Sequence, residues 1–307
     1  MTYSVIDIGT NTVLLLVATV SPDGWFTPLK YEQRIPRLGK GVDQHRALHP
    51  DSMMRVVEVL KEYRELAARF HPDLSVVCGT SAVRDAANRD VFAALVKQQT
   101  GFTLEVLTGE EEALWTYRGA ISGSPELSRA TVVDIGGGST EIIIGNRTSI
   151  EQRTSIDMGS VRLTERFFQH DPPTDGEIEM ARAAIVDGLR ATSGFRFEGS
   201  TLVGVAGTAT TLAMLAQGLR EFEIRAVTNY RMTRDTVEHL CRTLRAMPVS
   251  KIRDLSSVMA GRADVILAGT LILSELMARG HFAEAIVSER GVRYGLVLRE
   301  AEKQRAQ

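Results

Sequence analysis

Two aspartates, each leading into a short turn of small polar residues, carry the strongest chemical signal in this 307-residue sequence. Asp7 lies in YSVIDIGTNTVLLLVATV (residues 3–20) and Asp134 in ATVVDIGGGSTEIIIG (residues 130–145), 127 positions apart (134 minus 7). In the second copy, Gly136, Gly137 and Gly138 let successive backbone N–H groups converge on an anion with no Cβ in the way, and Ser139 and Thr140 add hydroxyls. An ordinary hairpin turn would also use two glycines, but repetition of the pattern favours a phosphate cradle. The first copy turns through Thr10, Asn11 and Thr12, where Asn11 tolerates a positive φ. A carboxylate beside a phosphate is repulsive unless a cation lies between them. Asp7 and Asp134 therefore point to Mg²⁺, held partly through water, with a self-capped turn as the competing explanation. Glu141 follows in a run of isoleucines. It is either a solvent-facing strand position or a ligand to the same cation.

A third chemical cluster is Glu110, Glu111 and Glu112. Thr108 with Glu111 fits a capping box, and acids in a first helical turn complement the helix dipole. That accounts for Glu110 and Glu111 better than for Glu112, whose carboxylate could orient and deprotonate a water. Counter-charge is available from Lys30, Arg34, Arg37 and Lys40, from Arg290 and Arg293, and from Arg84 just inside a helix. Arginine forks match phosphate oxygens, and Arg84 is the best placed because a Gly-Thr-Ser turn precedes it.

The elements that must position these residues read as α/β. Each aspartate closes a β-branched run and its turn opens a second one, so strand, turn, strand is expected twice, which implies a duplicated domain. Between the copies, Asp51 is expected to cap a helix after Pro50, with Met53, Val56, Val57, Leu60, Tyr63, Ala67 and Phe70 at helical spacing. A strand at 74–78, a helix at 91–98 and a strand at 103–107 follow. The second half predicts a polar strand pair, helices at 161–168 and 177–189, and a strand at 201–205 opening through Gly207 and Thr208 into a helix. It closes with a strand at 285–287 and a last helix. Alternating strands and helices on a duplicated scaffold indicate an α/β fold.

Bulk properties bound the partners. A net charge of −2 and a pI near 6.3 argue against a general nucleic-acid binder. Two cysteines, Cys78 and Cys241, stand in no metal or redox spacing, which fits a reduced, cytoplasmic protein. Neither a signal peptide nor a membrane span is expected.

The ordered series DIGTNT, GTSAVRDA, TGEEEA, VVDIGGGSTE, VGVAGTATTLA and SERGVRYG resembles the exopolyphosphatase and guanosine pentaphosphate phosphohydrolase (Ppx/GppA) family, within the actin-like, sugar-kinase and Hsp70 superfamily. The resemblance covers residues 5–298. It implies two ribonuclease-H-like domains around a cleft, at 1–123 and 124–291, with residues 292–307 packing back on the first. It further implies Mg²⁺-dependent hydrolysis of terminal phosphoanhydrides, with Mn²⁺ as an alternative, and a role in the stringent response. Carried over by position, Glu112 is the catalytic glutamate and Arg84 the helix-start arginine. Asp134, Glu141 and Asp7 serve the metal. Asn11, Thr12, Gly136, Gly137, Gly138, Ser139, Gly207 and Thr208 serve phosphate. Inorganic polyphosphate is the first expected substrate and guanosine pentaphosphate (pppGpp) the alternative, with a kinase or ATP-driven switch behind both; a homodimer stays open. Longer members carry further C-terminal helical domains beyond the span of this resemblance, and none is expected here.

Overall fold

A computed structural model describes residues 1–21, 26–124 and 126–306, and the chain divides into two compact units, Met1–Gly119 with Val292–Gln307, and Ala120–Gly291. Unit 1 begins with strands β1 (Thr2–Ile8), β2 (Val13–Val20) and β3 (Phe26–Arg34), then helix α1 (Pro50–Ala68), β4 (Leu74–Gly79), α2 (Ser81–Asp85), α3 (Arg89–Thr100), β5 (Leu104–Val106) and α4 (Gly109–Ile121). Unit 2 carries β6 (Arg129–Ile135), β7 (Thr140–Asn146), β8 (Ile150–Ile156), α5 (Ser160–Phe167), α6 (Asp175–Gly188), β9 (Thr201–Val205) and α7 (Ala206–Ala216). It continues with β10 (Arg231–Thr233), α8 (Arg234–Arg245), α9 (Ile266–Arg279) and β11 (Glu284–Val287), after which α10 (Val292–Arg305) returns to unit 1.

The two sheets repeat one plan. Unit 1 has the order β3-β2-β1-β4-β5, and unit 2 has β8-β7-β6-β9-β11 with β10 added antiparallel at its edge. In each, the first three strands form an antiparallel meander and the next two run parallel to the first. This is the ribonuclease-H-like α/β topology, present twice.

Burial explains the strand sequences. Central β1 and β6 are covered on both faces and are buried along almost their whole length, with apolar residues at most of those positions. In β1, Ile6 and Ile8 face the core that includes Val56, Leu60 and Tyr63 of α1, while Tyr3 and Val5 face Tyr294, Leu296 and Val297 of α10. Edge strand β8 alternates half-buried with exposed positions and is one strand, not the pair expected from its polar sequence. The cap of α1 is His49, whose Nδ1 accepts from the Asp51 N–H; Pro50 takes the first helical position and moves the cap one residue earlier than Asp51. Unit 2 is built around α9, which is buried on nearly every side. Among the described residues no helix is long and apolar enough to cross a membrane, and Cys78 and Cys241 are both buried and unbridged.

Candidate active site

Each aspartate sits one residue before its strand ends, and the two turns close alike. Gly9 N–H donates to the Thr12 carbonyl at 2.9 Å, and Gly136 N–H donates to the Ser139 carbonyl at 3.0 Å. Neither turn uses a positive φ, so the tolerance of Asn11 for that conformation is not called upon.

What the unit 2 turn does instead is fix its carbonyls. Ser160 N–H donates to the Gly136 carbonyl, Val161 and Arg162 N–H to that of Gly137, and the buried Arg162 side chain donates through Nε to that of Gly138 at 2.8 Å. In a planar trans peptide the next N–H points opposite to the carbonyl. Holding these three carbonyls therefore turns the N–H groups of Gly137, Gly138 and Ser139 away from α5, as an anion cradle requires. Gly159 makes this approach possible, since a Cβ there would fall 2.4 Å from the Gly137 carbonyl carbon. In unit 1, Arg37 and Gly39 N–H groups bind the Asn11 and Thr10 carbonyls, which likewise turns the N–H groups of Thr12 and Asn11 the other way.

Hydroxyls are a different matter. Thr140 donates to the Met158 carbonyl and is fully buried, so the donor read from its sequence position is committed inward. Thr208 donates to the Ile135 carbonyl at 2.8 Å and ties α7 to the end of β6. Its equivalent, Thr80, stands by Ile8, where its N–H donates at 3.2 Å. Gly207, in the first turn of α7, packs against Arg262, whose Nη1 donates to the Gly207 carbonyl at 3.1 Å and to Thr211 Oγ1 at 2.8 Å. Arg162 and Arg262 were not among the candidates read from the sequence. Each donates to the backbone carbonyl of a glycine, and such a partner leaves no residue-type signature.

The carboxylates fall into two sets. In unit 2, Asp134 and Glu141 are directly opposite in the β6–β7 ladder, so they project from one face of the sheet. Glu141 is 1% exposed and accepts from Ser155 Oγ at 2.7 Å, which overturns the solvent-facing alternative. The corresponding position opposite Asp7 is Leu14, so the paired carboxylates belong to unit 2 alone.

In unit 1, only Glu112 of the three consecutive acids is buried. Glu111 completes the capping box with Thr108, as its position suggested. Glu112 Oε2 accepts from Arg84 Nη1 at 2.8 Å, and the same nitrogen donates to the Leu107 carbonyl at 3.1 Å. Burial raises the Glu112 carboxyl above its ordinary value, and the Arg84 charge opposes that rise. Asp7 is near enough to feel Glu112. Burial first and the Glu112 charge second push its carboxyl up to about 7, against the pull of Arg293. Among the other basic candidates, Lys30 and Arg34 pair with Glu32, and Arg293 stacks 4.5 Å from the Tyr31 ring centroid.

The model of the Ppx/GppA phosphatase family matches residues 16–304. The chain belongs to the Ppx/GppA phosphatase family. It is 37% identical to exopolyphosphatase 2 of Mycobacterium tuberculosis, over 95% of this chain and 96% of that protein. It is 30% identical to the guanosine-5′-triphosphate,3′-diphosphate pyrophosphatase of Vibrio campbellii over 96% of this chain, but spans 58% of that longer protein. Among solved structures, an exopolyphosphatase from Cytophaga hutchinsonii superposes with a TM-score of 0.90 at 28% identity, covering 99% of this chain and 98% of the other. Membership in a phosphatase family makes the chain a hydrolase.

Proposed function

We propose that this Ppx/GppA phosphatase is an exopolyphosphatase, releasing orthophosphate from the end of inorganic polyphosphate by in-line attack of water. The carrying observation is the Glu112–Arg84 pair. A buried carboxylate with a raised pKa, held in one orientation by a guanidinium, has the properties of a base that orients and deprotonates water. Phosphoryl transfer needs positioning and charge neutralisation more than covalent chemistry. In this reading unit 2 contributes the positioning. The N–H groups of Gly137, Gly138 and Ser139 take phosphate oxygens, with Gly136 closing their turn and the start of α7 at Gly207 and Thr208 adding backbone donors. Unit 1 contributes Glu112 and Arg84, with Asn11 and Thr12 as a second donor turn.

Asp134 and Glu141 fit a divalent cation. They are two facing carboxylates, and Mg²⁺ characteristically takes one or two carboxylates plus water and phosphate oxygens. No group of three or more His, Cys, Asp or Glu side chains converges among the described residues, so this pair would hold the ion without a dedicated protein cage. Bound there, Mg²⁺ or Mn²⁺ would neutralise charge on the phosphoryl group being transferred. Asp7, in unit 1, is proposed as a carboxylate that a divalent cation bound beside it would keep ionised.

End-to-end similarity to exopolyphosphatase 2 supports polyphosphate as the substrate. The Vibrio relative supports a second reading, removal of the 5′-terminal phosphate of pppGpp, which would use the same residues. Orthophosphate release with Mg²⁺ from long-chain polyphosphate, pppGpp and ATP in parallel separates them. Polyphosphate is expected to be preferred; preference for pppGpp would install the second reading, and turnover of ATP alone would remove both.

A further inference from the structure

Unit 2 carries a second cluster of cations that takes no part in the site above. A cavity of about 370 Å³ is bounded by α6, α8 and α9, and four arginines line it: Arg182, Arg234, Arg242 and Arg245. Three of these come from α8 at positions 234, 242 and 245, the spacing of one helical stripe. Over eleven residues such a stripe runs roughly 16 Å.

Three of the arginines have carboxylate partners. Arg182 pairs with Glu275, Arg234 with Glu238 at 2.9 Å, and Arg245 with Asp175. Among the described residues Arg242 makes no ion pair, so the group keeps a net positive charge. Ion pairs at a partly exposed helix face are weak, and a ligand anion can displace or join them at small cost. Beneath the arginines the wall includes Ser274 and the buried Cys241, whose thiol is held up to about 11 mainly by burial and is therefore an inert wall group rather than a nucleophile.

We propose that this cavity binds a chain of linked phosphate groups. A compact anion would need one or two guanidiniums, whereas a row of cations along a helix, facing a fourth from the neighbouring helix, matches an extended polyanion. Arginine forks suit its tetrahedral oxyanions. The choice of phosphate among linear polyanions rests on the hydrolytic reading above. The same chemistry is offered by inorganic oligophosphate and by the 5′-chain of a nucleoside triphosphate.

The test is calorimetric titration of the full chain with sodium tripolyphosphate, orthophosphate and GTP, without divalent metal and with chelator, together with hydrogen–deuterium exchange. Arg242 is exposed and unpaired, so Arg242→Ala leaves the fold intact. Tripolyphosphate should slow exchange in residues 234–245 and bind at least tenfold more weakly to Arg242→Ala, with partial recovery in Arg242→Lys and steep weakening by salt. Orthophosphate should bind at least tenfold more weakly than tripolyphosphate. Equal Arg242 dependence with GTP would support the site and extend its ligands to nucleotides. Unchanged tripolyphosphate affinity in Arg242→Ala, or no protection of α8, would overturn the proposal. Arg242-dependent binding in a protein that hydrolyses no polyphosphate would support the cavity while removing the hydrolytic reading, so the two failures are distinguishable.

Discussion

One nitrogen of Arg84 holds two acceptors, Glu112 Oε2 at 2.8 Å and the Leu107 carbonyl at 3.1 Å, and so anchors the Glu112 carboxylate to the end of β5. The arginine also restrains the rise that burial imposes on the Glu112 pKa. Arg84→Ala removes both effects. Turnover should fall, and because a raised pKa postpones ionisation, the acidic limb of the pH–rate profile should move to higher pH. A drop in turnover with an unmoved acidic limb would mean that Arg84 acts only on substrate.

Asp7 should make stability depend on pH. Its folded-state carboxyl lies at about 7, against the ordinary 3.8 of an aspartate in the unfolded chain. The native state thus keeps a proton that the unfolded chain has lost. This contribution is fully present below the unfolded value and disappears as pH rises through about 7. A shift of this size corresponds to about 4 kcal/mol across the window. Asp7→Asn cannot titrate, so in metal-free buffer it should gain on the wild type between pH 4 and pH 8, measured by denaturant unfolding. Parallel stability profiles would contradict the assignment.

Gly159 makes the sharpest steric prediction. An added Cβ meets the Gly137 carbonyl carbon at 2.4 Å, backbone that cannot swing aside as a side chain would. Gly159→Ala should displace the turn, cost about 1–3 kcal/mol of stability, and raise KM for phosphate-chain substrates. Gly295→Ala is its control in unit 1. A Cβ there meets the Trp115 carbonyl oxygen at 1.8 Å and should destabilise α10 packing without specific damage to the unit 2 turn.

Asp134→Asn and Glu141→Gln should each raise the Mg²⁺ concentration needed for half-maximal activity, and metal titration calorimetry should show weaker binding in parallel. The Glu141 variant should also leave Ser155 with an altered partner, because its hydroxyl donates to that carboxylate. Unchanged metal binding in both variants would remove the cation from this strand pair.

Much of this was legible because it is local. The paired hairpins announce themselves through β-branched runs and through turns closed by residues only three apart, and Glu112 stands out because a capping box explains Glu111 but not its neighbour. Less legible was whatever depends on the far side of an element. The sequence leaves Glu141 open to a solvent-facing reading because a strand does not record that its sheet is covered on both faces. The contribution of Arg162 rests on a carbonyl 24 residues away, and that of Arg262 on one 55 residues away. Helix α9 has no such local mark, because a helix buried nearly all round has no polar stripe to show its period.

The most direct measurement is orthophosphate release from long-chain polyphosphate with Mg²⁺ by the wild type and Glu112→Gln, followed to separate kcat from KM. Removing a positioned base should lower kcat by about 10²–10⁴-fold while KM changes little. A variant that retains wild-type turnover would contradict the role of Glu112 and, with it, the central claim.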